Sequence, residues 1–122
     1  MPKPETIEAF IAMVESNEHD KAIEKFYTAD ASMQENQAEP RVGRAILVDN
    51  EKQTLLKVKS LQSKCIRPYF IDGDQVVIQW YFRFEWKNGS ISEIEEITRQ
   101  NWQGEFIKSE QFFYDPKQFT PV

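Results

Sequence analysis

The sequence predicts an α+β domain in which three N-terminal helices pack on one face of a curved, mostly antiparallel sheet. Three observations lead there. Apolar residues recur at helical spacing until about Lys57 and at strand spacing from Ser60 onward. The second half is punctuated by Asp72-Gly73-Asp74, Lys87-Asn88-Gly89-Ser90 and Gln103-Gly104, the turn chemistry of a four-strand meander. Between the first two of these turns, Gln75 to Trp86 reads QVVIQWYFRFEW, with Val76, Ile78, Trp80, Phe82, Phe84 and Trp86 on one alternating face. Helices first and strands after put the helices on a single side of the sheet.

The elements follow in order. Ile7, Phe10, Ile11 and Val14 stand at i, i+3, i+4 and i+7, giving a helix from about Pro4 to Ser16. Pro4 suits its first turn, where a missing N–H costs nothing. Asp20 is a plausible N-cap for a second helix carrying Ala22, Ile23, Phe26 and Tyr27. Ala31 to Glu35 reads as a short strand and Asn36 to Val42, with Pro40, as a loop. Gly43 opens a third, less regular helix to about Lys57, with Leu47, Thr54, Leu55 and Val58 on one side.

The first meander strand is expected over Leu61 to Ile71, where Pro68 lacks a ladder donor and implies a bulge or an edge position. The aromatic strand would span roughly 40 Å at about 3.3 Å per residue, twice an ordinary strand, so it must bend or twist. Ile91 to Trp102 and Phe106 to Tyr114 complete the set, and Asp115-Pro116 closes it.

Composition bounds the function. At 122 residues the chain is one domain, 1–122, large enough to bury a core without staples. A net charge of −5, with Lys57, Lys59, Lys64 and Arg67 scattered rather than gathered, argues against nucleic-acid binding. The single cysteine, Cys65, reads as a buried small hydrophobe. No leader and no long apolar run are visible, so a cytoplasmic protein away from membranes is expected. His19, the one histidine, is expected at the surface or in a capping role. No trustworthy metal-ligand spacing and no phosphate loop appear, so neither metal nor cofactor is expected.

Three segments carry a resemblance: FYTADASMQEN (Phe26 to Asn36), EPRVGRAI (Glu39 to Ile46) and IKSEQFFYDP (Ile107 to Pro116). In their order and spacing the chain resembles the nuclear transport factor 2-like superfamily, and within it the SnoaL-like and ketosteroid isomerase-like proteins. The resemblance covers nearly the whole chain. It implies a cystatin-like cone, a curved sheet wrapped around three helices and open at one end to a pocket. It also implies that the outer sheet face can form a homodimer, for which Tyr81 and Arg83 are the candidates here. The superfamily hosts isomerases, cyclases, hydrolases and binding domains, so fold alone does not decide function.

The resemblance places Glu35 where isomerase-like members hold a general base. A carboxylate facing an apolar cavity can be raised toward neutrality, which suits proton abstraction from carbon. The alternative is that Glu35 caps a loop or pairs with Arg41 or Arg44. The isomerase's two oxyanion donors correspond to Phe10 and Thr98. Losing one such donor typically costs on the order of 100- to 1000-fold, and Phe10 cannot donate, so the standard ketosteroid isomerase reaction is not expected.

Strand alternation extends the candidate site. With Thr98 facing inward, Ile94, Glu96, Gln100 and Trp102 do so too, and the family register turns Glu110, Phe112 and Tyr114 inward. Glu35, Glu96 and Glu110 are the candidate catalytic carboxylates, in a pocket lined by Phe10, Trp80, Phe82, Phe84, Thr98, Gln100, Trp102, Phe112 and Tyr114. A slip of one residue would turn a whole set outward. Such a pocket suits a cationic or polyhydroxylated ligand, or acid–base work on a polar one. The expected function is small-molecule binding, with an isomerase, cyclase or hydratase acting through a pocket carboxylate on one side. A non-catalytic ligand-binding or protein-interaction module stands on the other.

Overall fold

The computed structural model describes residues 1–120. The order is α1 (Pro4–Glu15), α2 (His19–Phe26), β1 (Tyr27–Glu35), β2 (Arg41–Val42), α3 (Arg44–Leu55), β3 (Val58–Asp72), β4 (Gln75–Trp86), β5 (Ile91–Gln103) and β6 (Phe106–Phe113). A short 3₁₀ turn, η1 (Pro116–Phe119), follows. The six strands form one curved sheet in the order β2-β1-β6-β5-β4-β3, and three helices pack on it as an α+β cone. The β3–β6 meander is antiparallel throughout, while β1 runs parallel to β6.

The core forms because the long strands keep their alternation. Along β4, Val76 and Ile78 are fully buried and Trp80, Phe82 and Phe84 nearly so, facing Ile7, Phe10, Ile11 and Val14 of α1. Phe10 is the hub: its ring stands edge-on to Phe26, Trp80 and Trp102 at centroid distances of 5.6, 6.4 and 6.3 Å. Pro68 fits both expectations for it. It lies on the sheet edge, and the β3–β4 register shifts between Ile66 and Phe70.

The helix and loop boundaries differ from the sequence reading in physically sensible ways. Helix α2 starts at His19 behind Glu18, so Asp20 lies in its first turn, where its charge suits the dipole, rather than at the cap. Strand β1 begins at Tyr27, four residues early, because its ladder partner Ile107 sits opposite. The expected loop contains β2, since Val42 and Arg41 pair with Ser32 and Met33. Strand β3 starts at Val58, and β6 stops at Phe113, one residue before Tyr114. No helix among the described residues is long and apolar enough to cross a membrane.

Candidate functional site

The helices do not fill the cone. An open cavity of about 370 Å³ remains between them and the sheet. Its apolar wall is Phe10, Trp80, Phe82, Phe84 and Phe112, with Tyr114 and Phe119 near the end of the chain. Trp80 and Phe82 are stacked on each other at 5.6 Å and 17°, two residues apart on one face of β4. Phe119 closes on Phe84 at 6.0 Å and on Tyr114 at 5.5 Å, which seats η1 against this wall.

Four carboxylates line the same space: Glu35, Glu51, Glu96 and Glu110. Two of them are engaged by basic or imidazole groups. Glu35, at the end of β1, takes a bidentate hydrogen bond from Arg41, with Nη1–Oε2 at 2.9 Å and Nη2–Oε1 at 3.3 Å. It is 41% exposed, so it stands at the rim. Asn36 fixes this end of β1. Its positive φ of 49° turns the chain, its N–H donates to the Phe112 carbonyl, and its side-chain oxygen accepts from the Tyr114 N–H. Glu51, projecting from α3, lies 3.4 Å from Nδ1 of His19, whose Nε2 is 2.8 Å from Ser63 Oγ. The imidazole stands edge-on to Phe82 at 5.2 Å.

The other two carboxylates are inside. Glu110, on β6, is 4% exposed and accepts hydrogen bonds from the Tyr27 hydroxyl and, at 2.8 Å, from Gln100 Nε2. Trp102 Nε1 donates in turn to Gln100 Oε1 at 3.0 Å, which orients that amide. Burial pushes the Glu110 carboxyl up to about 7, while the two donors pull it back. Glu96, on β5, accepts no hydrogen bond and pairs with no cation among the described residues. Burial, with Glu110, Glu51 and Glu35 nearby, pushes it to about 8. The two belong to adjacent strands, with Glu110 in register opposite Gln100, four residues beyond Glu96. Both point into one cavity from different depths, with the buried Thr98 between them on β5.

The structure therefore brings Glu35, Glu96, Glu110, Phe10, Trp80, Phe82, Phe84, Phe112 and Tyr114 together around one space. Thr98, Gln100 and Trp102 face the same way and are fully or almost fully buried, but stand outside the lining. Gln100 and Trp102 act instead as support for Glu110. Tyr81 and Arg83 lie on the outer face of the sheet, where the Tyr81 hydroxyl donates to Glu93 at 3.1 Å. The sequence reading missed Tyr27, His19, Glu51 and Arg41 as lining residues. Tyr27 opens β1 rather than closing α2, which turns its phenol toward Glu110. His19 and Glu51 meet only because α2 and α3 pack on each other. Among the described residues, no three His, Cys, Asp or Glu side chains gather in a metal-binding arrangement.

No protein-family model matches the sequence, and no curated protein matches it. Solved structures do match its shape. A protein with a ketosteroid isomerase-like fold from Catenulispora acidiphila DSM 44928, solved with trimethylamine, superposes with a TM-score of 0.78 at 19% identity, over 95% of this chain and 89% of its own. The chain has the nuclear transport factor 2-like fold. A candidate SnoaL-like polyketide cyclase from Mesorhizobium loti gives 0.77 at 18% identity, over 93% of this chain and all of the other. An LEH-like epoxide hydrolase from M. tuberculosis gives 0.76 at 13% identity, over 95% and 84%. At these identities the likeness of the chain to its neighbours is one of fold.

Proposed function

We propose that the cavity is a small-molecule site where Glu110 and Glu96 act as base and acid on a bound ligand, in an isomerisation, cyclisation or hydration. The observation that carries this reading is a pair of carboxyls at unequal depth and with unequal hydrogen bonding inside one aromatic-walled cavity. Hydrogen bonds from Tyr27 and Gln100 favour ionised Glu110, while Glu96, with no donor, keeps its proton more tightly. Two titratable groups driven apart in this way supply an acid and a base at the same pH. Glu35, held by Arg41 at the rim, serves ligand entry and orientation rather than proton transfer. The two-donor geometry of the standard isomerase is not available here, since Phe10 offers only a ring.

The test is a pH–rate profile on any small carbonyl or epoxide compound that the protein turns over. A bell is expected, with Glu110 ionised on its rising limb near 7 and Glu96 protonated on its falling limb near 8. Glu110→Gln should lower kcat by about 100-fold or more, and Glu96→Gln by about 10- to 100-fold with loss of the falling limb. Turnover that ignores both substitutions would remove the pair from the mechanism.

We also propose that the outer sheet face joins two copies of the chain. Ile97 and Phe113, 46% and 38% exposed, are paired in register on that face, beside the strand that carries Tyr81 and Arg83. Light scattering after gel filtration should give a dimer that Ile97→Asp converts to a monomer; a wild-type monomer at high micromolar concentration contradicts it.

A further inference from the structure

The charge inside the cavity is unbalanced in a way that the acid–base reading does not use. Four carboxylates share a lining with a single arginine, and that arginine is committed to Glu35 through both of its terminal nitrogens. Glu51 faces only the imidazole of His19. Glu110 has neutral donors, Tyr27 and Gln100, and no cation. Glu96 has no partner of any kind among the described residues although it points into the cavity. A carboxylate removed from water without a donor or counter-ion is costly, and three of them with no committed cation are more so. Against the carboxylates stands the aromatic wall of Trp80, Phe82 and Phe84, whose ring faces carry partial negative charge of their own.

We propose that the cavity binds a small organic cation, an amine carrying alkyl or other apolar substituents, through the carboxylates of Glu96 and Glu51 and the aromatic wall of Trp80 and Phe82, Trp80 standing opposite Glu96 in the β4–β5 register. This rests on the reading of the cavity as the ligand site and names the class of ligand. The two halves of the lining answer the two halves of such a molecule. An ammonium centre meets the carboxyl groups of Glu96 and Glu51 on one side and aromatic side chains on the other, and its substituents displace water from the aromatic wall. An anion would face four carboxylates with the one lining guanidinium already committed to Glu35. A bound cation lowers the proton affinity of Glu96 and Glu110, so binding near pH 7 releases a proton.

Choline and its neutral isostere 3,3-dimethylbutan-1-ol differ in charge at nearly equal shape, which makes them suitable probes. Titration calorimetry near pH 7 in two buffers of different ionisation enthalpy measures affinity and proton release together, and the Trp80 indole resonance reports the place. Choline is expected to bind at least about tenfold tighter than the isostere, with proton release and a shifted Trp80 signal. Glu96→Gln, close in shape and folded by its dispersed spectrum, should remove about tenfold of the choline affinity and leave the isostere unchanged; Glu51→Gln should act in the same direction. Equal affinity for the two probes overturns the inference while leaving a ligand site for neutral molecules. An unchanged preference in both variants, or no binding of either probe, also overturns it. The acid–base reading fails independently, on its pH–rate profile.

Discussion

Tyr27 and Glu110 show how much of the site depends on single atoms. The Tyr27 phenol is 2% exposed, and burial together with the Glu110 carboxylate drives its own pKa well up, so it remains a donor at any working pH. Its hydrogen bond favours the ionised form of Glu110. Tyr27→Phe keeps the ring against Phe10 and removes the donor. The Glu110 carboxyl should then titrate higher than about 7, and unfolding should cost about 1–3 kcal/mol less at pH 8. Titration by carboxyl NMR and a urea midpoint check the two parts; an unmoved Glu110 would show that the phenol does not govern it. Alternation along β4 makes the aromatic wall legible in the sequence, while the inward faces of Glu96 and Glu110 rest on the register that the family resemblance implies for β5 and β6. Tyr27 was not legible, because its inward direction depends on where α2 gives way to β1. Neither was His19, whose place in the lining depends on how α2 and α3 pack. Glu35 was correctly placed against Arg41 as an alternative, and its rim position follows from the turn at Asn36.

At the scale of elements, α3 shows why part of a site can be invisible to periodicity. Only Leu47 and Val48 of this helix are buried, so its pattern is weak, yet it delivers Asn50, Glu51 and Thr54 to the cavity. What orients it is the passage from β2 through Gly43. That residue has φ 108° and ψ 121°, donates its N–H to the Ala31 carbonyl at 2.8 Å and accepts from the Leu47 N–H at 3.0 Å. A side chain is disfavoured in that backbone conformation. A Cβ there would meet only Ile46 Cδ1 at 3.8 Å, so strain rather than collision sets the effect. Gly43→Ala should destabilise the fold by about 1–3 kcal/mol in urea unfolding with an unchanged slope. No loss of stability would mean that the backbone relaxes freely and that α3 is positioned by its packing alone. The glycine was readable as a helix opener; its tie to β1 required β2, two residues too short to leave a pattern.

Over the whole molecule, the fold keeps an acidic cavity in its interior at a cost that depends on pH. Glu96 and Glu110 have folded-state pKa values of about 8 and about 7 against an ordinary 4.5, so the folded protein holds their protons more tightly than the unfolded chain. Their contribution is complete below pH 4.5 and is lost as pH rises through the folded values. Stability should therefore fall between about pH 5 and 8 by on the order of a few kcal/mol, and Glu96→Gln should flatten that fall. The underlying quantity can be read directly by carboxyl NMR across pH 4 to 9. Two glutamates should titrate near 7 and 8, assigned by Glu110→Gln and Glu96→Gln, and the Glu96 value should drop once Glu110 is replaced. If Glu96 and Glu110 titrate near 4.5 instead, the cavity is open water to its carboxylates, and the acid–base pair is contradicted.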